Sequence, residues 1–280
     1  MKSNKNNKID RKTIEGFGDE WTRFDQSGLS DQESQLFFDR YFNIFPWEDL
    51  PVQAKGFDLG CGSGRWAKLV APRVDKLICV DGSSQALKVA KWNLKDFENV
   101  VFIHSTVEEL QLNDESMDFG YSLGVLHHIP DTTEGMNIAV SKLKPRAPFL
   151  VYLYYAFDNK PTWYRLFWKA SDLIRRIISR LPYQIRNFVT DMIAISIYYP
   201  LSKTAFFLEN ISIEVHNFPL ASYRNASFYT LRTDARDRFG TKLEQRFTKE
   251  QIRGMMENAG LINIKFSEDI PYWCAVGYKQ

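Results

Sequence analysis

The sequence predicts an α/β fold: a mostly parallel sheet with helices on both faces, one antiparallel strand and a helical insertion before the last elements. Three observations lead there. Between Lys55 and Phe149 short apolar runs alternate with segments of helical period. A glycine-rich turn follows the first of those runs. Near the end, Ser267-Glu268-Asp269 is so short a connection that the run after it can only return antiparallel.

In chain order, the first strand is Gly56 to Leu59, and Gly60-Cys61-Gly62-Ser63-Gly64 turns it into a helix reaching Ala71. Lys76 to Val80 is the second strand, ending at Asp81, and Ser83 to Leu94 the next helix. Val100 to Ile103, Met117 to Leu123 and Phe149 to Tyr155 are strands three to five, with a helix over Asp131 to Leu143 linking the last two. Thr248 caps a helix over Gln251 to Asn258, Gly260 stops it, Leu261 to Phe266 is a strand, and Pro271 to Tyr278 is the returning one.

Composition excludes several classes. The chain has 280 residues, 44% hydrophobic and 25% charged, which is neither disordered nor collagen-like. Its 36 basic and 34 acidic residues give a net charge of +2, so no global field demands nucleic acid. The longest charge-free window, 119–130, is far short of the roughly 20 apolar residues a membrane-spanning helix needs. Residues Met1 to Lys12 are polar and basic, without the apolar stretch of a secretory signal, and are expected to form a disordered tail. Cys61, Cys79 and Cys274 are an odd number and widely spaced, which fits a reducing cytoplasm. The histidines His104, His127, His128 and His216 show no metal-ligand spacing, so no metal is expected.

About ninety residues, 156 to 247, separate strand five from the returning helix, too long for a simple connection. Within them Leu166, Phe167, Ala170, Leu173, Ile174, Ile177, Ile178 and Leu181 share one helical face, with Arg165, Lys169, Arg175, Arg176 and Arg180 elsewhere. Residues 160–203 carry eight Lys or Arg against two Asp, a local net of +6 (8 − 2) inside a nearly neutral chain. Tyr155, Phe157, Trp163, Tyr164, Phe167 and Trp168 form an aromatic edge beside this basic helix. The segment is either an acceptor-binding cap or a helical hairpin packed on the core with solvated cations.

A tight glycine turn after a first parallel strand lies where open sheets bind ligands, and Asp81, 21 residues after Gly60, is placed to accept hydrogen bonds from two ribose hydroxyls. A dinucleotide site needs Gly or Ala at the sixth motif position, and Arg65 stands there, which disfavours a nicotinamide-dependent oxidoreductase.

Phe57-Asp58-Leu59-Gly60-Cys61-Gly62-Ser63-Gly64, Val80-Asp81-Gly82-Ser83, and Ser116-Met117-Asp118-Phe119 through Gly124-Val125-Leu126-His127-His128-Ile129-Pro130-Asp131 together resemble the class I S-adenosylmethionine-dependent methyltransferases. Leu143-Lys144-Pro145 and Arg246-Phe247-Thr248 to Ala259-Gly260-Leu261 extend the resemblance, which covers roughly residues 50–155 and 245–280. It implies a Rossmann-like seven-stranded sheet in the order three, two, one, four, five, seven, six with strand seven antiparallel, in agreement with the strand count above. It also implies S-adenosyl-L-methionine as cofactor. By that resemblance Asp58, Gly60, Cys61, Gly62, Gly64, Arg65 and Ser83 belong to the cofactor-binding motifs, with the methionine moiety against the glycine turn and the ribose on Asp81. Thr106, Val107 and Glu108 border the adenine, and Ser122 and Leu123 face the methionine amine. Three positions depart from the family pattern: Thr106 where Asp is usual, Gly82 where an apolar side chain usually packs on adenine, and Lys144-Pro145-Arg146-Ala147-Pro148 in place of a Lys-Pro-Gly-Gly turn.

The expected organisation is a tail and lid over 1–50, a cofactor-binding core over 51–155, a cap over 156–245 and completion of the core over 246–280. Methyl transfer to oxygen requires loss of a proton, and His128 and His127 are the candidate bases, with loop shaping as the alternative. Tyr154 is a candidate for orienting the acceptor. Arg65 is placed to pair with the methionine carboxylate or to reach solvent. Phe17, Trp21 and Arg23 form either a lid closing on the cofactor or an ordinary terminal helix. The stretch Tyr223-Arg224-Asn225 and Tyr229 to Gly240 resembles methyltransferases of bacterial surface-glycan synthesis, which implies a sugar or lipid-linked glycan acceptor contacted by Arg232 and Asp234. The expectation is a cytoplasmic O-methyltransferase of a small molecule or glycan intermediate, in peripheral contact with the inner membrane face through residues 160–203. The competing reading is a non-catalytic membrane-surface adaptor that keeps the cofactor fold.

Overall fold

The computed structural model describes residues 11–280. The expected tail lies outside the described residues except for Arg11 and Lys12, which begin a helix. The elements run α1 (Arg11–Arg23), α2 (Asp31–Phe42), β1 (Lys55–Leu59), α3 (Ala67–Val70), β2 (Lys76–Asp81), α4 (Ser84–Asn93), β3 (Val100–His104), β4 (Phe119–Leu123), α5 (Thr132–Ser141) and β5 (Pro148–Tyr152). There follow α6 (Thr162–Ile178), α7 (Tyr183–Ile193), α8 (Tyr199–Asn210), α9 (Phe228–Gly240), α10 (Lys249–Asn258), β6 (Leu261–Phe266) and β7 (Cys274–Lys279). The chain divides into two compact units, one of residues up to 22, 38–155 and 243–280, the other of 23–37 and 156–242.

The first unit is built on one seven-stranded sheet in the order β3-β2-β1-β4-β5-β7-β6, as the sequence leads one to expect. Phe57 of β1 lies level with Ile78 of β2 and Gly120 of β4 in parallel register. β7 runs antiparallel to β5, with Leu150 opposite Val276, and to β6. Met117 and Tyr155, expected inside strands four and five, make isolated bridges to Leu143 and Phe247 just beyond the strand ends. The helix expected up to Ala71 is a single α-turn, because Pro72 turns its end into a tighter 3-10 turn over Ala71–Arg73. Side-chain caps fix the starts of α4, α5 and α10: Ser83 accepts from the Ala86 amide, Asp131 from Glu134, and Thr248 pairs with Gln251 in a capping box.

One face of the sheet buries Phe57, Leu59, Ile78, Phe149 and Val151 against Met136 and Val140 of α5 and Ile252 and Met256 of α10. Each such side chain contributes roughly 1.5–3 kcal/mol relative to exposure. An aromatic cluster packs elsewhere in this unit: Phe42 lies 4.4 Å from Phe38 and 5.3 Å from Tyr121 between ring centroids, and Phe45 lies 6.0 Å from Phe119.

The second unit is helical, with a core of Ile178, Ala194, Tyr198, Leu231, Ala235 and Phe239. Its α6 reverses the usual orientation of an amphipathic helix. Asp172 and Arg175 are buried beside Ile178 at the helix end, while Leu166, Phe167, Leu173, Ile174 and Ile177 are exposed. The buried face is held electrostatically. The Asp172 carboxylate accepts from Arg175 Nε at 2.6 Å and Arg176 Nε at 3.0 Å, and Arg175 donates to the Thr241 carbonyl at 2.9 Å. These cations keep the Asp172 carboxyl below its usual range although burial opposes them.

Candidate cofactor and active site

The site begins where β1 gives way to the glycine turn. Gly60 and Gly62 have φ of +81° and +54°, and a Cβ on them would stand 2.4 Å from Val125 and 2.8 Å from the Trp21 indole, so only glycine fits. The amides of Gly60 and Cys61 both donate to the Val80 carbonyl, at 2.8 and 2.9 Å, locking the turn onto β2. From the end of β2, Asp81 Oδ2 accepts from the Gly62 amide at 2.9 Å and Oδ1 from the Ser83 amide at 2.7 Å. One acceptor position per oxygen is thereby used and one left. Burial raises the Asp81 carboxyl above its usual range, opposed by these two amides.

A cleft opens at this end of the sheet, between the loops after β1 to β4 and helix α1. Thr13, Phe17 and Trp21, spaced four residues apart on one face of α1, form a wall together with Ile14. Close approach is permitted by Gly18, whose Cβ would stand 2.5 Å from Ser83 Oγ. The Ile14 side chain lies 3.3 Å from the position a Cβ would take at Gly82. The apolar surface missing at residue 82 is thus supplied from another element. Thr106 Oγ1 is buried at the cleft and has no hydrogen-bond partner among the described residues.

The opposite rim is the turn Leu126–His128. Residues 243–247 clamp it: the Gln245 amide donates to the His127 carbonyl at 3.1 Å, and His128 Nδ1 lies 2.6 Å from the Leu243 carbonyl oxygen. A carbonyl only accepts, so Nδ1 carries the proton and, in the neutral ring, Nε2 is the basic nitrogen. The His128 ring packs 4.9 Å from Phe17. His127 is buried behind it, its ring centroid 3.9 Å from that of Tyr154, and burial, with the charges of His128 and Arg246, pushes its pKa well below the usual value. Arg246 stands 4.9 Å over the Tyr154 ring and pairs with Glu244 at 2.8 Å.

Of the residues singled out in the sequence, Trp21, Gly60, Asp81, Gly82, Thr106, Val107, Glu108, Leu123 and His128 line this cleft. The remainder stand behind it. Ser122 Oγ is spent on the Leu59 carbonyl at 3.0 Å, tying β4 to β1, and Ser83 caps α4. Arg65 lies over the Trp66 ring at 4.2 Å. Asp58 is buried within β1, where desolvation pushes its carboxyl up to about 8. Cys61, Gly62 and Gly64 shape the turn without lining the cleft, and His127 and Tyr154 form the stack that backs His128. Arg232 binds Asp191 through Nε at 3.1 Å and Nη2 at 3.0 Å inside the second unit, and Arg23 pairs with the same carboxylate. Thr13 and Ile14 are wall residues that the sequence does not single out by motif, although the four-residue spacing Thr13, Phe17, Trp21 signals them. Among the described residues no group of His, Cys, Asp or Glu is placed to hold a metal ion.

Residues 57–151 match the sequence profile of the methyltransferase domain family. The chain is 34% identical over 90 residues to a ubiquinone biosynthesis O-methyltransferase of Alkalilimnicola ehrlichii, which covers 31% of this chain and 36% of that protein. It is 29% identical over 126 residues to a demethylmenaquinone methyltransferase of Staphylococcus aureus, covering 39% and 52%. The chain therefore spans about half or less of the length of these curated relatives. A solved S-adenosylmethionine-dependent methyltransferase of Thermotoga maritima superposes with a TM-score of 0.52 at 15% identity, over 96% of this chain and 100% of that one. A chain from the complex of the Haloferax volcanii Trm112 methyltransferase activator with a methyltransferase gives 0.51 at 14% identity, over 94% and 96%. At such identities the likeness is one of fold.

Sheet order, glycine turn and acidic strand end thus define the class I S-adenosylmethionine-dependent methyltransferase fold. The segment from β1 to β5 matches the methyltransferase domain family, and the Thermotoga maritima neighbour that shares the fold is S-adenosylmethionine-dependent by name. The cleft suits S-adenosylmethionine: two carboxylate acceptor positions on Asp81, a buried hydroxyl on Thr106, and the Gly60 backbone in its lining.

Proposed function

We propose that the chain methylates a hydroxyl of a small, largely apolar acceptor, with His128 as the base. The observation that carries this reading is the 2.6 Å contact of His128 Nδ1 with the Leu243 carbonyl, which leaves Nε2 basic on a ring lining the same cleft as Gly60 and Asp81. S-adenosylmethionine supplies an activated methyl group open to in-line displacement. Asp81 holds the ribose hydroxyls through its two remaining acceptor positions, Thr106 Oγ1 meets the adenine amine, and Ile14 packs on the adenine face above Gly82. The α1 wall excludes water, and His128 takes the acceptor proton as the oxygen is held in line with the methyl carbon.

The acceptor class rests on two supports: relatives whose names concern ubiquinone and menaquinone, and a rim of Phe17, Val125 and Ile129 near His128. A hydroxylated aromatic ring of quinone type fits that rim better than a sugar. The stretch Tyr229 to Gly240 that suggested a glycan is α9, with Leu231, Ala235 and Phe239 in the core of the second unit and Arg232 occupied by Asp191.

Calorimetry with S-adenosylmethionine and its demethylated product, followed by turnover on catechols and on nucleotide sugars, tests the proposal. Tight cofactor uptake and turnover on the phenolic acceptors are expected. His128→Ala is expected to lower turnover by about 10²–10⁴-fold with cofactor affinity unchanged. Absence of cofactor uptake by the folded chain favours the non-catalytic adaptor, turnover confined to sugars restores the glycan acceptor, and unchanged turnover of the variant removes the base.

A further inference from the structure

The second unit carries an apolar surface that its own fold leaves uncovered. On α6 the stripe Leu166, Phe167, Leu173, Ile174 and Ile177 is 53 to 65% exposed. These residues follow the spacing of one helical face, and the opposite face is the one buried through Asp172 and Arg175. On α7 the pattern recurs: Ile185, Phe188 and Met192 are exposed, while Arg186 and Thr190 are buried. Two successive helices that turn apolar faces outward form a patch of the kind that marks an interaction surface.

The charges beside the stripe say what covers it. Arg165, Lys169 and Arg176, spaced by four and seven residues, fall in a row along one flank of the α6 stripe, Arg180 follows in the turn after the helix, and all four are exposed. Between residues 159 and 208 no acidic side chain is exposed, since Asp172 is buried and Asp191 is half-buried against Arg23 and Arg232. A second copy of the chain seated on this face would set these cations against their own equivalents with no exposed acid of the segment to answer them. An anionic bilayer supplies both what the stripe and what the flank require. Apolar side chains enter the acyl boundary to a depth of about 5–10 Å, and each Lys or Arg near the headgroups is attracted to their negative charge. Among the described residues no helix is long and apolar enough to cross a membrane, so the contact is one of lying on the surface.

We propose that α6, with α7, docks in the interface of an anionic lipid membrane. The proposal goes beyond the reading of the active site and does not depend on it.

Cosedimentation of the full chain with vesicles of zwitterionic lipid, alone or with about a third anionic lipid, tests it at low and high salt. Binding to the anionic vesicles is expected, weakened at least about tenfold at high salt and without anionic lipid. Ile174→Glu with Ile177→Glu is expected to abolish it, and Arg165→Glu with Lys169→Glu and Arg180→Glu to remove its salt dependence. All five positions are exposed, and circular dichroism with cofactor calorimetry checks that each variant stays folded. Absence of vesicle binding by the wild-type chain overturns the proposal whether or not the cofactor binds. So does a dimer in light scattering that the Ile174 and Ile177 changes dissociate, because the face is then covered by a second copy. Failure of cofactor uptake with vesicle binding intact overturns the catalytic reading alone.

Discussion

Two helices of similar amphipathic pattern are used in opposite senses. α10 turns Ile252, Met255 and Met256 into the core of the first unit and its polar residues outward. α6 turns Asp172 and Arg175 inward and its aliphatic stripe outward. The difference shows that helical period tells which residues share a face but not which face the protein keeps. On α10 apolar burial decides. On α6 a carboxylate held by two arginines, with Arg238 also 3.7 Å away, decides against it. A buried pair of this sort is costly to break and weak as net stabilisation.

That contrast can be broken most forcefully at Asp172. Asp172→Ala leaves Arg175 buried without its counter-charge and is expected to destabilise the second unit by about 3–5 kcal/mol, read as a lowered unfolding midpoint. Paired truncations of the apolar faces sharpen it further. Ile252→Ala is expected to cost about 2–5 kcal/mol, whereas Ile174→Ala is expected to stay within about 0.5 kcal/mol in chemical denaturation. Equal costs at the two positions refute the outward orientation of the α6 stripe.

The two units also differ in how their buried carboxylates respond to pH. Asp58, pushed by burial to about 8, holds a proton in the folded state that the unfolded chain has already released above about pH 4. Its contribution to stability is therefore full below that point and is lost as pH rises through about 8. Asp172, held below its usual range, contributes above its unfolded pKa and loses that contribution as pH falls through the folded value. Thermal melts from pH 4 to 8 are expected to show a loss of stability that Asp58→Asn flattens and changes at Asp172 leave in place.

The sheet was legible because its signals are local and redundant. Each strand is a short apolar run bounded by turn residues, and Thr248 with Gln251 or Asp131 with Glu134 marks a helix start within four residues. Asp81 and the glycine turn were legible for the same reason, since a backbone that approaches a ligand needs glycine at fixed positions. What could not be read depended on partners distant in sequence. Ser122 has the look of a site residue until the Leu59 carbonyl, sixty-three residues back, takes its hydroxyl. The orientation of α6 is set by Thr241 and Arg238, more than sixty residues onward. Ile14 covers Gly82 from a helix that composition alone assigned in part to a tail.

The wall contributed by α1 has a consequence for how such a site changes over time. Its four cleft residues belong to one short helix that supplies no strand to the sheet. Substitutions among them can reshape this side of the cleft while every strand register stays as it is. The wall and the sheet behind it are thereby inherited on separate stretches of the chain.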